Sequence, residues 1–199
     1  MQNIAVFVSG GGTNLEALLQ AQEAGAIPHG KITLVVASNA SAYALKRAEN
    51  HGVTGVAIPK KGKTQEEFEA AISTALKEHH IDFIILAGFL SILSEDFTKQ
   101  WPERIINVHP SLIPSFCGKG MYGLKVHEAA LEKGVKVTGA TVHFVNEIPD
   151  GGKILLQKAV YIEDGDTPEI LQRRVMEQAE WILLPKAAEM VAAALDSTK

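Results

Sequence analysis

The sequence predicts an α/β protein built on a single doubly wound, mostly parallel sheet, with an antiparallel hairpin in its C-terminal part. Three observations carry this. Short β-branched apolar runs alternate with segments of helical periodicity through the first half of the chain, the pattern of strand–helix–strand units whose strands lie parallel. The run Phe83-Ile84-Ile85-Leu86-Ala87 is apolar throughout, as a central parallel strand covered on both faces has to be. Farther on, two extended runs flank Asn146-Glu147-Ile148-Pro149-Asp150-Gly151-Gly152, a turn-forming stretch that pairs them as a hairpin.

Composition narrows the class. With 199 residues, 46% hydrophobic and 21% charged, the chain has material for one domain with a substantial core. The formal charge of -4 provides no broad basic footprint, which argues against a nucleic-acid partner. No apolar run reaches the roughly 18 residues of a membrane span. The N-terminus enters a strand directly after Met1-Gln2-Asn3, without a charged leader, so a cytoplasmic protein is expected. Cys117 is the only cysteine, which excludes an internal disulfide. His127-Glu128 opens like a zinc-protease helix, but Leu131 stands where the second histidine belongs, and no metal site is expected.

In chain order, Ile4 to Val8 reads as a first strand, and Ser9-Gly10-Gly11-Gly12-Thr13-Asn14 follows it directly. Leu15, Leu18 and Leu19 then recur at helical spacing, so the glycines form a strand-to-helix turn. Such a turn either packs tightly and binds nothing, or offers backbone N–H groups and a positive helix end to an anion. Leu15 occupies the place of a dinucleotide fingerprint's third glycine, and Ser38-Asn39 that of its ribose-binding acid, which argues against NAD. Gly62-Lys63-Thr64 lacks the first glycine and strand context of a P-loop. A phosphomonoester suits the small turn best.

A second strand is expected at 32–37, a helix at 42–51, a third strand at 53–58 and a helix at 64–80 with Phe68, Ile72 and Leu76 on one face. Lys60, Lys61 and Lys63 form the one basic cluster, a solvated loop or a contact for an acidic ligand tail. After the central strand, Phe89, Leu90, Ile92 and Leu93 are too apolar for an ordinary loop: they are core, or they wall a pocket for a flat heterocycle. Ser94 is placed to cap a short helix. Arg104 to His109 is a strand, followed by a flexible segment at 118–123, a helix at 124–133, a long strand at 135–145 with Val137, Thr141 and His143 on one face, and its hairpin partner at 154–162. Thr167 as cap and Pro168 at the first helical position open a last long helix, which Pro185 is expected to kink or interrupt.

The chemistry concentrates at Asn107-Val108-His109-Pro110. Strand alternation puts Asn107 and His109 on one side, and Pro110 keeps His109 extended. Taken alone, the pair could simply cap a neighbouring loop. An amide donor beside an imidazole also suits a reaction with a developing oxyanion and a mobile proton, and a loop carboxylate such as Asp150 would favour the charged imidazole. There is no Gly-x-Ser-x-Gly elbow, and Cys117 has no evident partner base and reads as an incidental thiol.

Four stretches together resemble the phosphoribosylglycinamide formyltransferases, folate-dependent enzymes of purine biosynthesis: Ser9 to Asn14, Leu86 to Leu93, Asn107 to Pro114, and Gly139 to Val145 with Asp150-Gly151-Gly152. The resemblance is collinear over nearly the whole chain, and the Asn, His, Asp trio is common to 10-formyltetrahydrofolate-dependent relatives. It implies a Rossmann-like formyltransferase fold over residues 1–199, its N-terminal half binding the phosphoribosyl group and its C-terminal half catalytic and folate-binding. It implies direct attack of the amine of glycinamide ribonucleotide on the formyl carbon of 10-formyltetrahydrofolate. Asn107 and protonated His109 would stabilise the oxyanion, and Asp150 would hold the charge on His109 and order a water. Gly12, Thr13 and Asn14 would take the phosphate, and Glu180 a ribose hydroxyl. Phe89, Leu90, Ser91, Ile92, Leu93 and Val145, with Gln65, would face the folate, and no metal would be needed.

Familiar members carry arginines near Ser91 and Gln65, so the contact to the glutamate tail differs here, with Lys60, Lys61 or Lys63 as substitutes. Lys125 replaces a histidine, and the segment Lys119 to Lys125 is longer. Competing readings are methionyl-tRNA formyltransferase, which adds a second domain after this core; formyltetrahydrofolate hydrolase, which adds one before it; and a non-catalytic nucleotide- or folate-binding module. Either a monomer or a homodimer is compatible with the sequence.

Overall fold

The computed structural model describes residues 1–197. Its strands β1 (Gln2–Val8), β2 (Gly30–Ala37), β3 (Thr54–Ala57), β4 (Phe83–Leu86), β5 (Ile105–His109), β6 (Val137–Phe144) and β7 (Ile154–Tyr161) form one seven-stranded sheet in the order β3-β2-β1-β4-β5-β6-β7. The first five run parallel, and β6 lies antiparallel to both β5 and β7. The helices are α1 (Thr13–Glu23), α2 (Tyr43–Asn50), α3 (Gln65–Glu78), α4 (Glu95–Lys99), α5 (Leu124–Lys133), α6 (Pro168–Val175) and α7 (Trp181–Asp196).

Strand alternation divides the core in two. Ile4, Val6 and Val8 of β1 and Phe83 and Ile85 of β4 point to the face covered by α1, α6 and α7. Ala5 and Phe7, with Ile84 and Leu86, point to the face covered by Phe68, Ile72 and Leu76 of α3 and Phe97 of α4. Both faces of the central strands are thus covered, which is why β4 carries no polar residue. The chain passes outward from β1 to β3 and then restarts on the other side with β4. This reversal opens a crevice at the carboxyl ends of β1 and β4, where open α/β sheets bind ligands. The glycine turn after β1 and the apolar loop after β4 both lie there.

The helix starts follow the sequence. Thr64 and Glu67 form a capping box on α3, Ser94 accepts the N–H of Phe97, and Thr167 accepts that of Ile170 with Pro168 at the first turn. The expectation for Pro185 needs correction. α7 runs through Pro185 from Trp181 to Asp196, and the break lies earlier, as one π-helical turn over Met176–Glu180. Pro185 is only the fifth residue of α7, so just one ladder bond is missing, next to the wider turn. The strand expected over 135–145 is shorter, at Val137–Phe144, and at its end the returning loop comes so close that a Cβ on Gly152 would sit 1.8 Å from the Phe144 carbonyl oxygen. Only a residue without a side chain lets the hairpin loop return so close.

Candidate active site

The first part of the site is backbone. Gly12 has φ 72°, in the left-handed region, and a Cβ on it would lie 2.7 Å from Cβ of Ala44. α2 holds the turn from behind: Ala44 N–H donates to the Gly10 carbonyl at 3.1 Å, and Arg47 Nε donates to the Gly11 carbonyl at 2.8 Å. With these carbonyls turned inward, the N–H groups at the start of α1, which have no helical partner, are free for a ligand. Thr13 is exposed at this end, whereas the Asn14 side chain is not: its amide donates to Glu180 at 2.7 Å. Glu180, the last residue of the π turn, is buried, and that burial pushes its carboxyl up to about 7 despite the Asn14 amide. The structure therefore brings Asn14 and Glu180 together, with their side chains engaged with one another.

The second part is a cluster of side chains. Asn107 and His109 leave β5 on one side, and the antiparallel register sets His143 of β6 opposite Asn107. His143 Nδ1 donates to the Phe144 carbonyl at 2.8 Å, which leaves Nε2 as acceptor for the Asn107 amide at 3.2 Å. The second hydrogen of that amide remains available. His109 is buried, with Nε2 donating to the Phe116 carbonyl at 2.9 Å and Nδ1 at 3.6 Å from Asp150. Asp150 arrives from the hairpin loop with φ 56°, a left-handed conformation that Asp tolerates better than most residues.

Gly118 N–H donates to the Asp150 carboxylate at 2.8 Å, and His143 Nε2 is 3.5 Å from its other oxygen. Burial alone would raise the Asp150 carboxyl; the adjacent His143 and His109 imidazoles and the Gly118 N–H outweigh it and hold the group below the usual range. The separations of 3.5 and 3.6 Å are longer than direct hydrogen bonds and place both imidazoles at ion-pair distance from the carboxylate.

Two cavities adjoin this cluster. One, of about 140 Å³, is walled by Phe89, Leu90, Ser91, Ile92 and Leu93 on one side and by Val145 to Asp150 on the other. The second, of about 410 Å³, runs beside His109 under Gly118 to Gly123. Asn107 and Asp150 line both. The apolar loop is partly core and partly wall: Leu93 is 8% exposed, Leu90 62% and Ile92 66%, and Phe89 packs against Phe7 and stacks on Phe68. Gln65 lines neither cavity; it braces the wall from outside, donating to the Ile92 carbonyl at 3.0 Å and to Glu69 at 2.6 Å. Lys60 lies 5.9 Å from the ring of Phe68, behind the same wall, while Lys63 is turned to the Pro59 carbonyl.

Sequence reasoning placed His143 on the correct face with Thr141 without giving it a role. The signal that could have found it is the antiparallel pairing, which sets an odd-numbered residue of β6 against Asn107. Thr141 pins the loop after β5, donating to the Ser111 carbonyl and accepting from Ile113 N–H. Cys117 donates to the Pro114 carbonyl, and burial and the Asp150 charge push its thiol up, which keeps it an inert thiol.

An anion-receptive turn follows β1, and an amide, an imidazole and a carboxylate gather at the end of β5 where two cavities adjoin, an arrangement suited to group transfer. The chain belongs to the formyl transferase family, whose model matches residues 2–187, and within it to the phosphoribosylglycinamide formyltransferases. The phosphoribosylglycinamide formyltransferase of Haemophilus influenzae is 40% identical over 89% of this chain and 82% of its own. The trifunctional purine biosynthetic protein adenosine-3 of Gallus gallus is 44% identical over 95% of this chain, which spans only 18% of that protein's length. The chloroplastic phosphoribosylglycinamide formyltransferase of Arabidopsis thaliana is 37% identical over 89% of this chain and 61% of its own. Glycinamide ribonucleotide transformylase 1 from Symbiobacterium toebii superposes with a TM-score of 0.90 at 38% identity, covering 98% of this chain and 89% of that one.

Proposed function

We propose that this protein transfers the formyl group of 10-formyltetrahydrofolate to the amine of glycinamide ribonucleotide, a step of purine biosynthesis, in the cytoplasm. The observation that carries the reading is the meeting of two cavities at Asn107 and Asp150, beside His109. A transfer between two bound molecules needs such a junction, and the donor and acceptor must be held in one geometry for the bimolecular step to become effectively unimolecular.

In this reading the flat folate ring occupies the cavity between the 89–93 wall and the Val145 to Asp150 loop. The ribonucleotide lies along the larger cavity, with its phosphate on the N–H groups of Gly12, Thr13 and Asn14 and its ribose toward Glu180. The amine nitrogen attacks the formyl carbon, the C=O π pair moves to oxygen, and the free Asn107 N–H and a protonated His109 stabilise the oxyanion. His143 fixes the orientation of the Asn107 amide, and Asp150 supplies the counter-charge for His109. A water beside Asp150 carries the proton from the attacking amine toward N10 of the folate. Collapse breaks the bond from the formyl carbon to N10 and releases tetrahydrofolate and the N-formylated ribonucleotide.

Following folate absorbance with 10-formyltetrahydrofolate, with and without glycinamide ribonucleotide, tests this directly. Turnover that requires the ribonucleotide is expected. Turnover without it would make the protein a hydrolase, and none in either case would leave a binding module.

A further inference from the structure

The loop that walls the smaller cavity poses a structural problem: Leu90 and Ile92 are 62% and 66% exposed, so burial of these side chains does not hold the loop in place. Two polar tethers take hold of it. Gln65 holds the Ile92 carbonyl from outside, and the Leu90 N–H donates to Ser9 Oγ at 2.9 Å. Ser9 directly follows β1 and immediately precedes Gly10-Gly11-Gly12. Its hydroxyl also shares a 2.6 Å hydrogen bond with that of Ser38, just after β2, so the same oxygen accepts from Leu90 and is tied to a second strand's loop. The segments that follow β1, β2 and β4 converge on this one oxygen.

We infer that Ser9 is a positioning residue that sets the formyl-donor wall against the anion-binding turn by holding the backbone of Leu90. The inference rests on the formyl-transfer reading of the site. It makes an asymmetric demand. The turn's own conformation is secured by α2, through Ala44 and Arg47, and does not depend on the Ser9 hydroxyl. The position of Leu90 within the wall does, since Phe89, Leu93 and the Gln65 contact to Ile92 anchor only its neighbours. Removing the hydroxyl therefore loosens the donor side and leaves the ribonucleotide side in place, whereas a general loss of stability would disturb both.

The test compares Ser9→Ala, Ser9→Thr and Ser38→Ala in the full-length chain. Loss of one backbone hydrogen bond acting on donor binding raises KM for 10-formyltetrahydrofolate about threefold to tenfold in Ser9→Ala. KM for glycinamide ribonucleotide and kcat should stay within about twofold, the pattern of lost uniform binding to one substrate. Ser9→Thr, which keeps the acceptor oxygen, should restore the donor KM, and Ser38→Ala, which leaves the Ser9 to Leu90 bond, should stay near the unmodified protein. An unchanged donor KM in Ser9→Ala, equal rises for both substrates, or a Thr variant as defective as the Ala variant would overturn the inference. Titrating 10-formyltetrahydrofolate against tryptophan fluorescence measures the same difference as a binding constant. Absence of turnover in the unmodified protein would therefore sink the activity reading while the Ser9 inference still stood or fell on its own.

Discussion

The two ends of the crevice are made of different materials. The anion end is backbone: three glycines, one in the left-handed region, whose carbonyls α2 draws inward so that the helix N–H groups face out. The transfer end is side chain: an amide and an imidazole from β5, a second imidazole from β6 and a carboxylate from the hairpin loop. The comparison teaches that binding and chemistry tolerate change differently. The backbone site fails when a side chain is added at Gly12, where the added atoms have no place. A side-chain site fails when a functional group is removed, because the scaffold remains and the chemistry does not.

The largest effect should come from the transfer end. His109→Ala should lower kcat by about a thousandfold, within the range for a positioned proton donor, while calorimetry finds the affinity for glycinamide ribonucleotide nearly intact. Weakened ribonucleotide binding in that variant would break the division between the two ends.

Adding one methyl should then distinguish the glycines. Gly152→Ala drives a Cβ to 1.8 Å from the Phe144 carbonyl oxygen, a backbone clash that cannot relax without moving the Asp150 loop; a loss of about 3 kcal/mol in chemical denaturation and of most activity is expected. Gly12→Ala meets the side chain of Ala44 at 2.7 Å and an unfavourable φ, and should cost about 2 kcal/mol and raise KM for the ribonucleotide rather than lower kcat.

Glu180 sharpens the comparison through pH. Its carboxyl is raised from 4.5 to about 7 by burial, so between these values the unfolded chain has released a proton that the folded one keeps. The folded state therefore loses stability as pH rises from 4.5 to about 7, by about 3 kcal/mol in all, and levels off above that. Glu180→Gln should flatten this slope in melts taken from pH 4.5 to 8; an unaltered slope would show that another group supplies it. The smallest effect belongs to Cys117→Ser, where the thiol is held protonated and kcat should stay within about twofold.

Much of the fold was legible because it depends on local rules. The apolar run of β4 announced a strand covered on both sides, the caps at Ser94 and Thr167 announced helix starts, and the glycines after Val8 announced a strand-to-helix turn. The break in the C-terminal helix was misplaced because Pro185 is a strong local signal, whereas nothing in Met176 to Glu180 signals a π turn. That turn makes sense only in three dimensions, ending on Glu180 where it meets Asn14.

By itself, the sequence determined which residue types stood at the strand ends: Asn107 and His109 one pleat apart, glycines where α1 begins, an acid in the hairpin loop. These follow from alternation, from the steric freedom of glycine and from turn chemistry, all read within a few residues. The tertiary structure alone decided their relations. It set His143 against Asn107 through the antiparallel register, brought two imidazoles to 3.5 and 3.6 Å from Asp150, turned Asn14 onto Glu180, and put Ser9 beneath Leu90, 81 residues away in sequence. Those contacts depend on strand order and register, which are settled by burying both faces of the sheet at once, and no local stretch of chain encodes that.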